Sequence, residues 1–330
     1  WINRGKPSPW ELRAEFTKVN SHSVSSPLYN KEDGNVGNMK FSPLKLDIQF
    51  FKDSLTNECG IVRVKLNEVQ PLHPRYELPQ NDVIRDKDLI PDAIKINYDA
   101  HLGTAISSTS GDCKVIVSYS PFQIDFLRGE SIVSTMNGDG FLNFERYRAK
   151  GSDTPGNYDA TGIGQNDLWE EKFSSHQDTK PRGPAAVGID VNFPGAQHVV
   201  GLPEHATNLD MPTYKEPYRL YNLDVFEYDL HVPMALYGAV PMITALGAPK
   251  SGGSIHSTGF FWVNPSETMV QPERTPEKLK TWWLSESGII DTFMFMGKTP
   301  QQILSMYHSV TGFPIMAPQF AQGKHQCRWN

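Results

Sequence analysis

Residues 113–144 read CKVIVSYSPFQIDFLRGESIVSTMNGDGFLNF. Cys113–Tyr119 and Phe122–Leu127 are two apolar runs parted by Ser120-Pro121, and they predict two strands joined by a turn. Ile132–Met136 and Phe141–Phe144 flank Asn137-Gly138-Asp139-Gly140, which predicts a hairpin with a Gly-rich turn. This repeated strand–turn rhythm means a mainly β chain, an antiparallel domain of two packed sheets.

The rhythm extends outward. Upstream, Phe41–Asn57 and Gly60–Leu66 hold short apolar runs. In the second, Val62, Val64 and Leu66 alternate with Arg63 and Lys65, the period-two pattern of a half-buried strand. HPRYELP at 73–79 follows, and Pro71, Pro74 and Pro79 break any ladder there. The first 40 residues are polar and turn-rich and predict a partly mobile lead-in. Downstream, residues 146–183 are polar, rich in Gly and Asp and poor in aliphatics. Such a segment can hardly offset its ordering entropy, so a surface insertion or disordered loop is expected. Strands resume at Ala186–Phe193 and His198–Leu202, then at Phe260–Asn264 and Ile289–Met296, with a polar loop over Gly247–Ser257.

One helix is clear. Thr299-Pro300-Gln301-Gln302 is a capping box with proline at the first helical position. Ile303, Leu304, Met306, Tyr307 and Val310 follow at helical spacing, and Gly312 stands where a C-terminal cap belongs. Beyond it, Phe320–Arg328 is expected to be a final strand. The predicted division is a sandwich over 1–297 with its polar insertion at 146–183, a linker helix over 298–313, and the start of a second domain over 314–330.

A chain of 330 residues with 38% hydrophobic and 21% charged content can bury a sizeable core and is not a disordered composition. Its net charge of −6 speaks against a nucleic-acid groove. No apolar run approaches a membrane span. The chain does not begin with Met, which predicts a processed piece whose targeting segment is gone. Cys59, Cys113 and Cys327 are too few for a disulfide framework and match no zinc spacing. One disulfide with one thiol and three thiols are both open.

The richest chemistry lies at Tyr218–Gly238, YRLYNLDVFEYDLHVPMALYG. Tyr218, Tyr221, Phe226, Tyr228 and Tyr237 share this stretch with Asp224, Glu227 and Asp229. Rings stack on the C–H faces of a sugar and carboxylates accept from its hydroxyls, so the combination suits carbohydrate. The alternative is a strand and loop whose aromatics fill a core. Asp224 and Phe226, two apart, would share one face of a strand. Glu227 and Asp229 read as solvated loop charges. Glu204-His205 is either half of an acid–base pair or, more in keeping with adjacent polar residues, a structural hydrogen-bonding pair. Trp262, Trp282 and Trp283 are a binding platform or, as is usual in a sandwich, core. His325 and Arg328 have no visible partners. No phosphate-binding loop, dinucleotide fingerprint, nucleophile elbow or metal motif occurs, so no cofactor and no metal are expected.

The order of motifs carries further. GLPEHA (201–206), YRLYNLDVFEY (218–228), MALYGAVPM (234–242), FFWVNPSET (260–268), WWLSESGIIDTFMFMG (282–297) and QFAQGKHQCRWN (319–330) together resemble glycoside hydrolase family 31. HPRYELP and SSHQDTKPRGPAAVGIDVNFPG resemble the branch that works in the endoplasmic reticulum, rather than the lysosomal or intestinal α-glucosidases. The resemblance implies an N-terminal antiparallel β-sandwich similar to galactose mutarotase, a linker helix, and the first strand of a (β/α)8 barrel whose remainder is absent. It implies a retaining exo-α-glucosidase that trims α-1,3-linked glucose from the N-glycans of newly made glycoproteins in the endoplasmic-reticulum lumen. Retention needs two carboxylates about 5–5.5 Å apart. In the family both are aspartates of later barrel strands, so no catalytic residue is expected in this chain. Asp224 and Phe226 match the family's sandwich loop and are expected to bind substrate. Glu204, His205, Tyr237, His325 and Arg328 are expected to support the site, with Trp329 in the first barrel strand. Implied partners are the N-glycan, the barrel and a regulatory β subunit, with neither nucleic acid nor a membrane span. Asn57-Glu58-Cys59 is the rare cysteine form of a glycosylation sequon, usable only with Cys59 unpaired. The alternatives are a free-standing carbohydrate-binding sandwich, or another family-31 hydrolase such as a lysosomal-type α-glucosidase or an α-xylosidase.

Overall fold

The computed structural model describes residues 8–33, 42–79, 81–99, 104–109, 111–147, 169–173, 176–180, 183–248 and 255–328. The alternation noted around Val62 is realised in the strand Cys59–Glu68. There Val62, Val64 and Leu66 are buried between sheets and Arg63 and Lys65 lie on the half-exposed outer face. Cys113–Tyr119 and Phe122–Arg128 pair antiparallel from Tyr119↔Phe122 onward, as their alternation requires.

Two antiparallel sheets face each other. The first runs Trp10–Leu12, Ser23–Asn30, Leu44–Lys52, Cys59–Glu68, Ile290–Gly297, His256–Trp262, Met242–Gly247, Ala196–Gly201. The second runs Tyr218–Leu220, Thr268–Arg274, Lys278–Ser285, Val187–Pro194, Ser131–Met136, Phe122–Arg128, Cys113–Tyr119, Thr104–Thr109, Ile94–Asp99. The core lies between them. Trp262 of the first sheet stacks on Trp283 of the second with ring centroids 5.9 Å apart, and Phe260 meets Trp283 edge-on at 4.9 Å. Their indole N–H groups donate to Ser285 and Thr281 hydroxyls, so the polar tips cost little inside the core. Trp282 is buried too, on the other face of its strand. The three tryptophans are therefore core and form no platform.

The helix Pro300–Thr311 lies on the outer face of the first sheet. Ile303, Met306 and Val310 pack there against Phe51, Ile61, Phe261, Phe293 and Phe295. Covered on both faces, Ile290–Gly297 is buried along its whole length, which is why it reads as a continuous apolar run. Thr299 caps the helix by accepting from Gln302 N at 3.3 Å, and Gly312 follows at φ 89°. Leu304, on the far side of the helix, is exposed.

Four expectations need correction, and one open alternative is decided. Residues 131–144 do not form a hairpin. Ser131–Met136 and Asn143–Phe144 both pair with Val187–Pro194, end to end, because the NGDG turn wraps around Asp190. Asp139 N and Phe141 N donate to its carboxylate, each at 2.9 Å, and Asn137 N donates to its carbonyl. The lead-in contributes Trp10–Leu12, Lys18–Val19 and Ser23–Asn30 to the first sheet, since Trp10, Leu12, Val24 and Leu28 have a core to enter. The 146–183 insertion includes a two-stranded ladder, Trp169–Phe173 with His176–Lys180, where Trp169 and Phe173 mark strand-forming sequence within the polar run. Phe320–Arg328 is not a strand: among the described residues nothing pairs with it, and it holds a 3-10 turn at Gln319–Gln322 instead. Cys59 is bonded to Cys113, so the condition for the Asn57 sequon is not met, and Cys327 is an exposed thiol. Residues 148–168 of the insertion, 249–254 of the second polar loop, and Trp329 lie outside the described residues.

Candidate carbohydrate-binding site

Two segments cross side by side from the first sheet to the second at one edge of the sandwich. Residues 202–217 leave Ala196–Gly201 and arrive at Tyr218–Leu220, and residues 221–241 return to Met242–Gly247. Neither crossing contains regular structure. Pro203, Pro212, Pro217, Pro233 and Pro241 remove ladder donors, and Leu202 and His231 stand at positive φ, so turns replace strands here. Asp224 and Phe226 thus lie in a loop rather than on one face of a strand.

The two crossings are laced to each other. Glu204 N donates to the Gly238 carbonyl at 2.9 Å, and Gly238 N donates back to Glu204 Oε2 at 3.0 Å. Val240 N donates to Pro203 O and His231 N to Ala206 O, both at 2.8 Å. A Cβ at 238 would lie 3.1 Å from the Glu204 carboxyl carbon, so a side chain there would press on that carboxylate and shift it by a few tenths of an ångström. Within the second crossing, Leu223 N donates to Leu236 O at 2.8 Å and the Tyr237 hydroxyl donates to Val225 O at 2.6 Å. Phe226 at the tip is 99% exposed, and Asp224 beside it is exposed. Desolvation and the neighbouring Asp224 carboxylate raise the Tyr237 phenol above its ordinary pKa.

His205 is held, not presented. Its Nδ1 lies 2.5 Å from Leu202 O and its Nε2 3.2 Å from Arg219 O, and its ring meets Tyr218 edge-on at 5.0 Å. Burial keeps the imidazole below its ordinary pKa, against the pull of those carbonyls. Glu204 and His205 therefore point to separate partners and form no acid–base pair. Tyr218 is core, its hydroxyl donating to Pro212 O at 2.8 Å. Glu227 and Asp229 are exposed, as solvated charges should be. His325 and Arg328 are exposed on the irregular C-terminal segment, and His325 Nε2 lies 3.3 Å from Ala321 O. The structure brings Glu204, Tyr237, Asp224 and Phe226 into one loop system and leaves His325 and Arg328 outside its contacts.

Sequence reasoning missed one member of this system. Arg219 Nε donates to Glu267 at 2.5 Å, and its guanidinium lies 4.7 Å from the Tyr221 ring, which anchors the start of the second crossing. Its standing as the lone permanent cation among eight aromatic and acidic side chains was the available signal. The sulfurs of Cys59 and Cys113, which lie with Asp112 within ligand distance of one another, are bonded together and offer no thiolate.

This is an antiparallel sandwich of the galactose mutarotase type with a braced aromatic–carboxylate loop at one edge. The chain belongs to glycosyl hydrolase family 31: the model described as "Glycosyl hydrolase 31 N-terminal galactose mutarotase-like domain" matches residues 26–270. It is similar to neutral alpha-glucosidase AB of Sus scrofa, at 33% identity over 87% of this chain and 34% of the relative. It therefore spans about a third of the length of the curated relatives it matches. Among solved structures, it is similar to the glucosidase II alpha subunit in its alpha3-Glc2-bound form, with TM-score 0.82 and 31% identity over 99% of this chain and 36% of that one. It is also similar to an ER glucosidase II heterodimer of the catalytic subunit and the binding domain of the regulatory subunit, with TM-score 0.81 and 30% identity over 99% of this chain and 37% of that one.

Proposed function

We propose that this chain is the N-terminal part of a retaining exo-α-glucosidase of the endoplasmic-reticulum lumen that trims α-1,3-linked glucose from N-glycans. In this reading residues 1–297 are the sandwich, 298–313 the linker helix and 314–330 the start of a barrel that supplies both catalytic aspartates. Asp224 accepts hydrogen bonds from sugar hydroxyls and Phe226 stacks on a sugar ring. Glu204, His205 and Tyr237 support the loop, while His325 and Arg328 serve the barrel. Family membership and similarity to proteins named as α-glucosidases support the activity. Similarity to a heterodimer supports a regulatory β subunit as partner. A buried disulfide is in keeping with an oxidising compartment.

One observation carries the role of the loop. Phe226 is fully exposed beside an exposed carboxylate, on a loop whose base is tied by Glu204 and Tyr237. With the exposed rings of Tyr221, Tyr228 and Tyr237 in the same crossing, Phe226 belongs to an exposed aromatic cluster, and such clusters mark binding surfaces where a lone exposed ring does not. The test is release of nitrophenol from an α-glucoside by this chain alone and by its complete reading frame. Activity is expected only in the complete form. In that form Phe226→Ala and Asp224→Ala should each raise KM roughly tenfold, the equivalent of about 1.4 kcal/mol of lost binding. Turnover by the 330-residue chain alone would show that the catalytic carboxylates lie within it.

A further inference from the structure

We propose that Tyr237 is a positioning residue for the tip of the loop, its hydroxyl fixing the backbone between Asp224 and Phe226. This rests on the reading of those two residues as sugar contacts and adds to it. The phenol donates to the carbonyl of Val225, the residue between them, at 2.6 Å. That bond holds the peptide between Asp224 and Phe226, so removing it loosens the backbone that carries both side chains. Phe226, at 99% exposure, has almost no packing to hold it, and its placement depends on the backbone behind it. Tyr237 itself is more than half exposed, so its ring contributes little to the core, and what it supplies is the bond.

The anchor beneath Tyr237 is equally specific. Its neighbour Gly238 is held through both backbone groups: its N–H by the Glu204 carboxylate and its carbonyl by Glu204 N. Glu204 lies three residues past the strand Ala196–Gly201, and Leu202 N still donates to Met242 O at 2.8 Å. A continuous line of bonds therefore runs from the edge of the first sheet, through Glu204, Gly238 and Tyr237, to Val225. Such a line preorganises the contacts, so a substrate loses less freedom on binding.

The experiment is a double-mutant cycle in the complete protein, with hydrolysis of an α-1,3-linked glucose disaccharide as readout. Tyr237→Phe keeps the ring and removes only the hydroxyl. It should raise KM roughly fivefold, change kcat by less than about twofold and leave the melting temperature within about 1 °C. On the Tyr237→Phe background, Asp224→Ala should cost at least about threefold less in KM than it does in the parent, because the tip is already loose. Additive effects would overturn the positioning role while leaving Asp224 as a sugar contact. A parent KM unmoved by Asp224→Ala would bring down the sugar-contact reading, and the positioning role with it. An equal fall in melting temperature and kcat would make Tyr237 merely structural.

Discussion

A carboxylate inside a sandwich must be met by donors, and Asp190 receives the backbone N–H groups of Asp139 and Phe141. Asn192 Nδ2 also approaches, at 3.4 Å. Burial nonetheless outweighs these bonds and raises its pKa to about 6 from 3.8. Because the folded value lies above the unfolded one, the stability that Asp190 contributes is complete below about pH 3.8 and is lost as pH rises through about 6. Asp139 and Asp210 are shifted downward, so their losses fall at lower pH, as pH drops through their folded values. His205, shifted down from 6.5, acts oppositely to Asp190, its contribution being lost as pH falls. Asp190→Asn isolates the effect of this carboxyl group. Its amide can accept only one of the two N–H groups and turns a donor toward the other, so at pH 4.5 it should be about 2–3 kcal/mol less stable than the parent. Between pH 4.5 and 7.5 the gap should narrow by about 2 kcal/mol, since only the parent bears the cost of ionising. Urea unfolding of both proteins at the two pH values checks it. A gap that is constant or widens with pH would show that Asp190 is not held protonated by burial.

The helix Pro300–Thr311 is fastened by polar bonds as well as by its apolar face. Asp53, fully buried, accepts from Ser305 Oγ at 2.8 Å and from Ser309 Oγ at 3.0 Å. Leu55 N and Thr56 Oγ1 complete its donors. Ser305→Ala with Ser309→Ala leaves that carboxylate short of partners and should cost about 3 kcal/mol, read as a lower melting temperature and faster amide exchange along the helix. Leu304→Ala, on the exposed face, should stay within about 0.5 kcal/mol. This element also marks how far the sequence could be read. Its capping box, proline and C-terminal glycine are local signals, and local signals name an element and its ends. The same holds for Val62, Val64 and Leu66, whose alternation specified both the strand and its buried face. Which strand lies beside which is a non-local matter. Ile290–Gly297 sits between Cys59–Glu68 and His256–Trp262, and Asn143–Phe144 bypasses its nearest neighbour in sequence for Val187–Pro194. The loop residues Asp224 and Phe226 stand out as candidates through family motifs, and the prolines of the crossings account for a loop there, but the bonds from Glu204 and Tyr237 that brace it are not encoded in spacing along the chain. Phe320–Arg328 lacks a pairing partner among the described residues, and a strand is defined by its partner.

At the scale of the whole molecule, one disulfide bridges the two sheets. Cys59 begins a strand of the first sheet and Cys113 a strand of the second, and they are bonded across a separation of 54 residues. Arg128 reinforces the junction, its Nη1 donating to Met296 O of the first sheet at 2.6 Å and lying 3.5 Å from Cys113 Sγ. Elsewhere the sheets meet mainly through side-chain packing such as Trp262 on Trp283, so this bridge limits how far they can separate on unfolding. Closing a loop of that length restricts the unfolded chain by about 4 kcal/mol in the chain-entropy account. The doubly substituted Cys59→Ala, Cys113→Ala protein should therefore unfold at a lower urea concentration, by roughly that free energy. It should also show a steeper dependence on urea, because its unfolded chain exposes more surface. Cys327→Ala, at an exposed thiol, should change neither quantity. If the double variant lost stability with no change in slope, the bridge would be acting through native packing near Arg128 instead of through the unfolded chain. If it lost none, the packed core alone would be holding the sheets together.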